Sequence, residues 1–151
     1  MVYRWVSDDR LRLAQIALLT LACIWGADYL ITQPKGSLDY VEHVIPLNLC
    51  GVLFLFFGVM GIIGELWMEL GRSQKASLVN IPFICHAQNR WWPSFAAHAG
   101  LCALYSALTA GYLAEMFVHW HLWGMRTPAV MFAFAAMHWA FTQRRRHGVV
   151  A

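Results

Sequence analysis

Apolar residues run along this chain in long blocks, separated by short pieces rich in polar residues, glycine and proline. A helix needs about 20 mainly apolar residues to cross the hydrocarbon core of a bilayer. Four blocks answer to that length, over roughly residues 13–32, 45–68, 93–118 and 128–142, the last of them short. Gln33-Pro34-Lys35-Gly36-Ser37 ends the first block, and Gly71-Arg72-Ser73-Gln74-Lys75 follows the second. Pro93 and Pro128 open the third and fourth, suiting the first helical turn, where proline's missing N–H costs nothing. The pattern predicts an all-α integral membrane protein. It would be one domain, residues 1–151, folded as an antiparallel four-helix bundle.

Composition sharpens that expectation. Hydrophobic residues make up 60% of the chain and charged ones 13%. A soluble domain carries about 25% charged residues, so too little polar surface is present to coat one. The first apolar run is longer than the 7–15 residues typical of a signal-peptide core and reads as a retained helix. Cys23, Cys50, Cys85 and Cys102 form no C-x-x-C pair. They read as small buried apolar groups rather than a disulfide framework.

The placement of charge sets an orientation, because cytoplasmic loops of membrane proteins are enriched in Lys and Arg. With the N-terminus inside, Arg4, Arg10, Arg12, Arg72, Lys75, Arg90, Arg144, Arg145 and Arg146 fall on the cytoplasmic side, and only Lys35 and Arg126 outside. Both termini are therefore expected in the cytoplasm, in a multi-pass protein of the cytoplasmic membrane. Trp5, Trp67, Trp91, Trp92 and Trp139 then lie near the inner interface and Trp120 and Trp123 near the outer one, as an aromatic belt requires. The Arg144-Arg145-Arg146 run reads as an anchor on lipid headgroups, so no nucleic-acid partner is expected. The chain has no G-x-G-x-x-G, no Walker loop and no nucleophile motif, and an enzyme is not expected.

Ionisable residues at membrane depth are costly and mark function by default; here they are Asp28, Glu65, Glu115, His98 and His138. Glu65 shares a helical face with Gly51, Gly58 and Gly61, and small residues on one face let another helix approach closely. In the third block His98, Cys102, Tyr105, Thr109, Tyr112 and Met116 recur at spacings of four and three, forming one polar seam. That seam either joins helices by hydrogen bonds or lines a wet path. His98 and His138 stand at similar heights above the inner ends of their blocks, the arrangement that bis-histidine haem ligation uses. Toward the outer side, Glu42, His43, Glu115, His119 and His121 could gather around zinc or copper, with Glu115 and His119 four residues apart on one face. The primary expectation is a chain with no cofactor, with haem or metal as the alternative.

Three short pieces carry a resemblance. They are EHVIPLNLCG at Glu42–Gly51, RWWP at Arg90–Pro93, and RTPAV at Arg126–Val130 before a short last block with its arginine tail. With the four-block layout, they make the chain resemble the small four-span membrane proteins of actinobacteriophages, some encoded beside endolysins in lysis cassettes and treated as holin-like. The resemblance implies a protein of the host cytoplasmic membrane that self-associates and disrupts the membrane or its potential at lysis. The expected function is accordingly holin-like, with association through the Gly51, Gly58 and Gly61 face and exposure of the His98–Tyr112 seam. A homo-oligomer in the lipid bilayer is the expected assembly. Two other readings compete: a small redox subunit that binds haem or metal through its histidines, and an adaptor or exclusion factor that binds a host membrane protein.

Overall fold

The computed structural model describes residues 8–31, 46–74, 92–119 and 126–147. All four stretches are helical: α1 (Asp8–Ile31), α2 (Leu47–Gln74), α3 (Trp92–His119) and α4 (Arg126–His147). Each covers one of the apolar blocks. Pro46 leads the chain into α2, its carbonyl accepting the amides of Leu49 at 2.9 Å and Cys50 at 3.2 Å. Pro93 and Pro128 lie in the first turns of α3 and α4.

Three helices are long and apolar enough to cross a membrane: α1 over Arg10–Ile31, α2 over Leu47–Met68 and α3 over Trp92–Val118. Of the four expected spans, α4 is the one not among these three. Its apolar part stops at Thr142, and Gln143-Arg144-Arg145-Arg146-His147 completes the helix with polar and charged residues.

Buried positions recur every three or four residues, the signature of one inward face per helix. On α1 they are Gln15, Leu19, Ala22, Gly26 and Tyr29; on α4 they are Pro128, Met131, Ala135, His138, Phe141 and Thr142. The outward faces are apolar as well. Leu13, Ile24, Val52, Phe56, Val59, Ile63, Phe132 and Trp139 are all exposed. Helices that are hydrophobic all round belong in a large core or a membrane.

The helices pack as α1 on α2 and α3 on α4, with α2 against α3 joining the two pairs. Residue pairs fall along α1 as they rise along α2. Gly26 meets Gly51, Leu19 meets Gly58 and Gly61, and Arg12 meets Glu65. The α1–α2 contact brings backbones nearly together. A Cβ added to Gly26 would stand 2.8 Å from both the Gly51 carbonyl oxygen and the Leu55 amide nitrogen. Gly64 is closed in the same way by the Ser94 amide nitrogen of α3, at 2.8 Å. In the middle of the bundle one ring from each helix contributes to a single cluster. The Trp25 centroid lies 6.5 Å from Phe54, 5.8 Å from Tyr105 and 5.6 Å from Phe134, each pair edge-to-face. Such arrangements are the favoured geometry of aromatic pairs.

Candidate functional site

Polar side chains gather at the end of the bundle that holds the start of α1, the ends of α2 and α4, and the start of α3. Glu65 is 1% exposed. Ser94 donates its hydroxyl to Glu65 Oε1 at 2.5 Å. Arg12 Nη2 donates to the Glu65 carbonyl oxygen at 3.1 Å, and its Nε lies 4.0 Å from Oε2 of the same residue. A carboxylate taken out of water needs such partners, because an isolated buried charge is prohibitively costly. The buried Gln15 stands one helical turn from Arg12 on α1.

One turn beyond Ser94 on α3 comes His98. Its Nδ1 lies 2.7 Å from Nδ1 of His138, and both residues are fully buried. Two neutral imidazoles make this contact when one donates its N–H and the other accepts it. Two imidazolium ions cannot, since every ring nitrogen is then a donor. The pair is boxed by rings. Phe141 lies 5.3 Å from His98, and Tyr105 stacks on His138 at 5.5 Å. Thr142 donates its hydroxyl to the His138 carbonyl at 2.9 Å. His138 Nε2 and the Tyr105 hydroxyl have no hydrogen-bond partner among the described residues.

This geometry bears on ligation. Metal–imidazole bonds of about 2.0–2.1 Å, placed opposite each other as in bis-histidine haem, part the two nitrogens by about 4 Å. At 2.7 Å the rings of His98 and His138 bond to each other, and ligation would require them to separate. Among the described residues no three His, Cys, Asp or Glu side chains converge as a metal site.

The other sequence candidates fall as follows. Gly51, Gly58, Gly61 and Glu65 lie on the face of α2 that α1 and α3 of the same chain cover. Within this chain that face is covered: Leu19 and Cys23 of α1 stand against Gly58, and Leu19 of α1 and Ala97 of α3 against Gly61. His98, Tyr105, Thr109 and Met116 of the seam are buried, and Cys102 and Tyr112 partly so. Thr109 donates its hydroxyl to the Tyr105 carbonyl at 2.8 Å. Asp28 is exposed and Glu115 half-buried. Glu42, His43 and His121, and the side chain of His119, lie outside the described residues.

Sequence reasoning missed Gly26, Ser94, Gln15 and the role of Arg12. Ser94 was within reach, because it continues the seam one step of four before His98. In the sequence Arg12 reads only as an inside charge, and nothing local marks it as Glu65's partner.

An all-helical chain with three apolar helices of spanning length defines the class: a helical membrane protein. No known protein family, curated protein or solved structure matches this chain.

Proposed function

We propose that the chain is a holin-like protein of the cytoplasmic membrane that depolarises the cell carrying it, working as an antiparallel four-helix bundle with both termini inside. The observation that carries the reading is the inverted layout of the molecule. The exposed faces of its described helices are mostly apolar, while Glu65, Ser94, His98 and His138 are buried and Arg12 is partly buried. A bundle built only to sit in lipid has no use for these groups, and each is costly there. A protein that opens a polar route across the membrane needs them.

The fourth span belongs to the same proposal. Ring contacts keep α4 beside α3, with Phe134 against Tyr105 and His138 against His98. Its exposed Val130, Phe132, Met137 and Trp139 give it a lipid-compatible outer face. The Lys and Arg bias supports the orientation. Self-association, with the glycine face already covered, falls to the outer side of α2. There Val52, Phe56, Val59, Ile63 and Trp67 line an apolar groove with Trp92 and Pro93.

The test is regulated expression in bacteria with a potential-sensitive dye. Depolarisation is expected within the induction period, and a cell that keeps its potential at full expression would overturn the reading. In the same cells, and in a chain stripped of native cysteines, a cysteine at position 37 should react with an impermeant thiol reagent while one at position 77 stays protected. The reverse pattern would overturn the orientation.

A further inference from the structure

Large and small residues are segregated on the outer faces of α2 and α3. The exposed line of α2 is bulky throughout: Leu49, Val52, Phe56, Val59, Ile63 and Leu66. The outward line of α3 is small: Ala103, Ala107 and Ala110 are exposed, and Ala96 and Ala114 half-buried. Both lines advance by threes, fours or a seven, the repeat by which one helix tracks along another. The two surfaces adjoin. Phe57 of α2 lies against Gly100 of α3, and its ring meets the Phe56 ring edge-to-face with centroids 5.3 Å apart. A bulky ridge on α2 therefore runs beside a shallow trough on α3. Val52, Phe56, Val59 and Ile63 of the ridge also wall the groove that ends at Trp67, Trp92 and Pro93.

We infer that the α3 trough receives the α2 ridge of a second copy of this chain, in a two-fold dimer where each copy gives its ridge and takes its partner's. The inference rests on the self-association proposed above and names the surface that meets α2. Length argues for a helix as the occupant. From Leu49 to Leu66 the ridge rises about 26 Å, and from Ala96 to Ala114 the trough rises about 27 Å, at 1.5 Å per residue. One leaflet supplies about half of a core about 30 Å thick, so an acyl chain covers only part of either surface. Residue size argues for this particular helix. Small outward residues let another backbone come close, and the bulky line that would fill the space stands on the same molecule. A two-fold satisfies ridge and trough together and leaves neither over, which closes the assembly.

The axis also fixes which residues meet. Copies inserted the same way are related by a two-fold along the membrane normal, so facing residues lie at equal depth. Within the chain Phe57 is level with Gly100, and Gly64 with Ser94. Continuing that count along both helices brings Val52 level with the space between Ala103 and Ala107.

The experiment uses the full chain, stripped of native cysteines, in vesicles of phosphatidylethanolamine and phosphatidylglycerol. Two differently tagged chains, one carrying Val52→Cys and the other Ala107→Cys, are mixed and oxidised. A disulfide forms only where the Cα atoms come within about 7 Å. The mixed-tag product is expected, and Val52→Cys should not pair with itself. Ala107→Leu fills the trough at an exposed position. It should weaken association, read by energy transfer between labelled chains, by about tenfold or more, with the helical melt of the detergent-solubilised chain unchanged. Adding Val52→Ala should recover part of the loss. Val52→Cys pairing only with itself would mean that α2 meets α2 and would overturn the inference. Chains that stay monomeric in vesicles would overturn it as well, leaving the groove to lipid. Mixed-tag crosslinks in a protein that does not depolarise cells would uphold the interface and overturn the holin-like function alone.

Discussion

Along the α1–α2 contact, backbone approaches backbone across Gly26 and Gly51; along the α3–α4 contact, rings meet rings, with His98, Tyr105, Phe134, His138 and Phe141 between the helices. Both arrangements hold helices together where lipid removes the hydrophobic drive, so both rely on close packing and hydrogen bonds. They differ in what they can tolerate. At Gly26 an added atom meets main chain first, the Gly51 carbonyl oxygen and the Leu55 amide, and main chain cannot turn away. The ring contact is made of groups that can exchange partners within the same envelope. Rigidity belongs to one pair and chemistry to the other, with Glu65 and Ser94 linking them.

The sharpest way to break this contrast is Gly26→Leu. Overpacking costs typically 1–3 kcal/mol, and a site closed by main chain falls at about the upper end. Thermal unfolding of the detergent-solubilised protein, followed by helical circular dichroism, should show that loss. A variant as stable as wild type would mean that α1 does not lie on this face of α2. Next in size comes Ser94→Ala. It leaves Glu65 Oε1 buried without its donor, a loss of about 1–3 kcal/mol. The same melt measures it, and no change would show that Arg12 alone satisfies the carboxylate. The smallest effect is expected at the histidine pair. His98→Phe and His138→Phe should each cost about 1 kcal/mol, because each strands a partner. The double variant should recover much of that cost, as replacing both partners of a hydrogen bond with apolar groups of similar shape can be nearly neutral. A double-mutant cycle reads the coupling directly, and strict additivity would deny the contact.

Much of this was legible from periodicity. The four helices follow the apolar blocks, and the seam at His98, Tyr105 and Thr109 faces inward as its spacing of three and four requires. The common depth of His98 and His138 followed from counting residues from the ends of their blocks. Which surface covers the glycines was not legible. Gly51, Gly58 and Gly61 announce that something comes close, but a second copy and α1 of the same chain satisfy them equally. Only Gly26 points to α1, and a lone glycine carries no period. Arg12 was obscured for a related reason: its contact with Glu65 bridges 53 residues, and no local pattern encodes so distant a choice. The shortness of α4's apolar part was visible in the sequence, since the run between Pro128 and Thr142 is interrupted by His138 and followed by three arginines.

The two polar contacts also differ in the order in which their halves are made. Arg12 leaves the ribosome before Glu65, so the carboxylate reaches the translocon with its countercharge already in place. The histidine contact is made in the opposite sense: His138, the imidazole that His98 meets, lies 40 residues downstream, so that contact closes only once α4 has emerged. The Arg12–Glu65 contact should therefore form early in synthesis and the His98–His138 contact last.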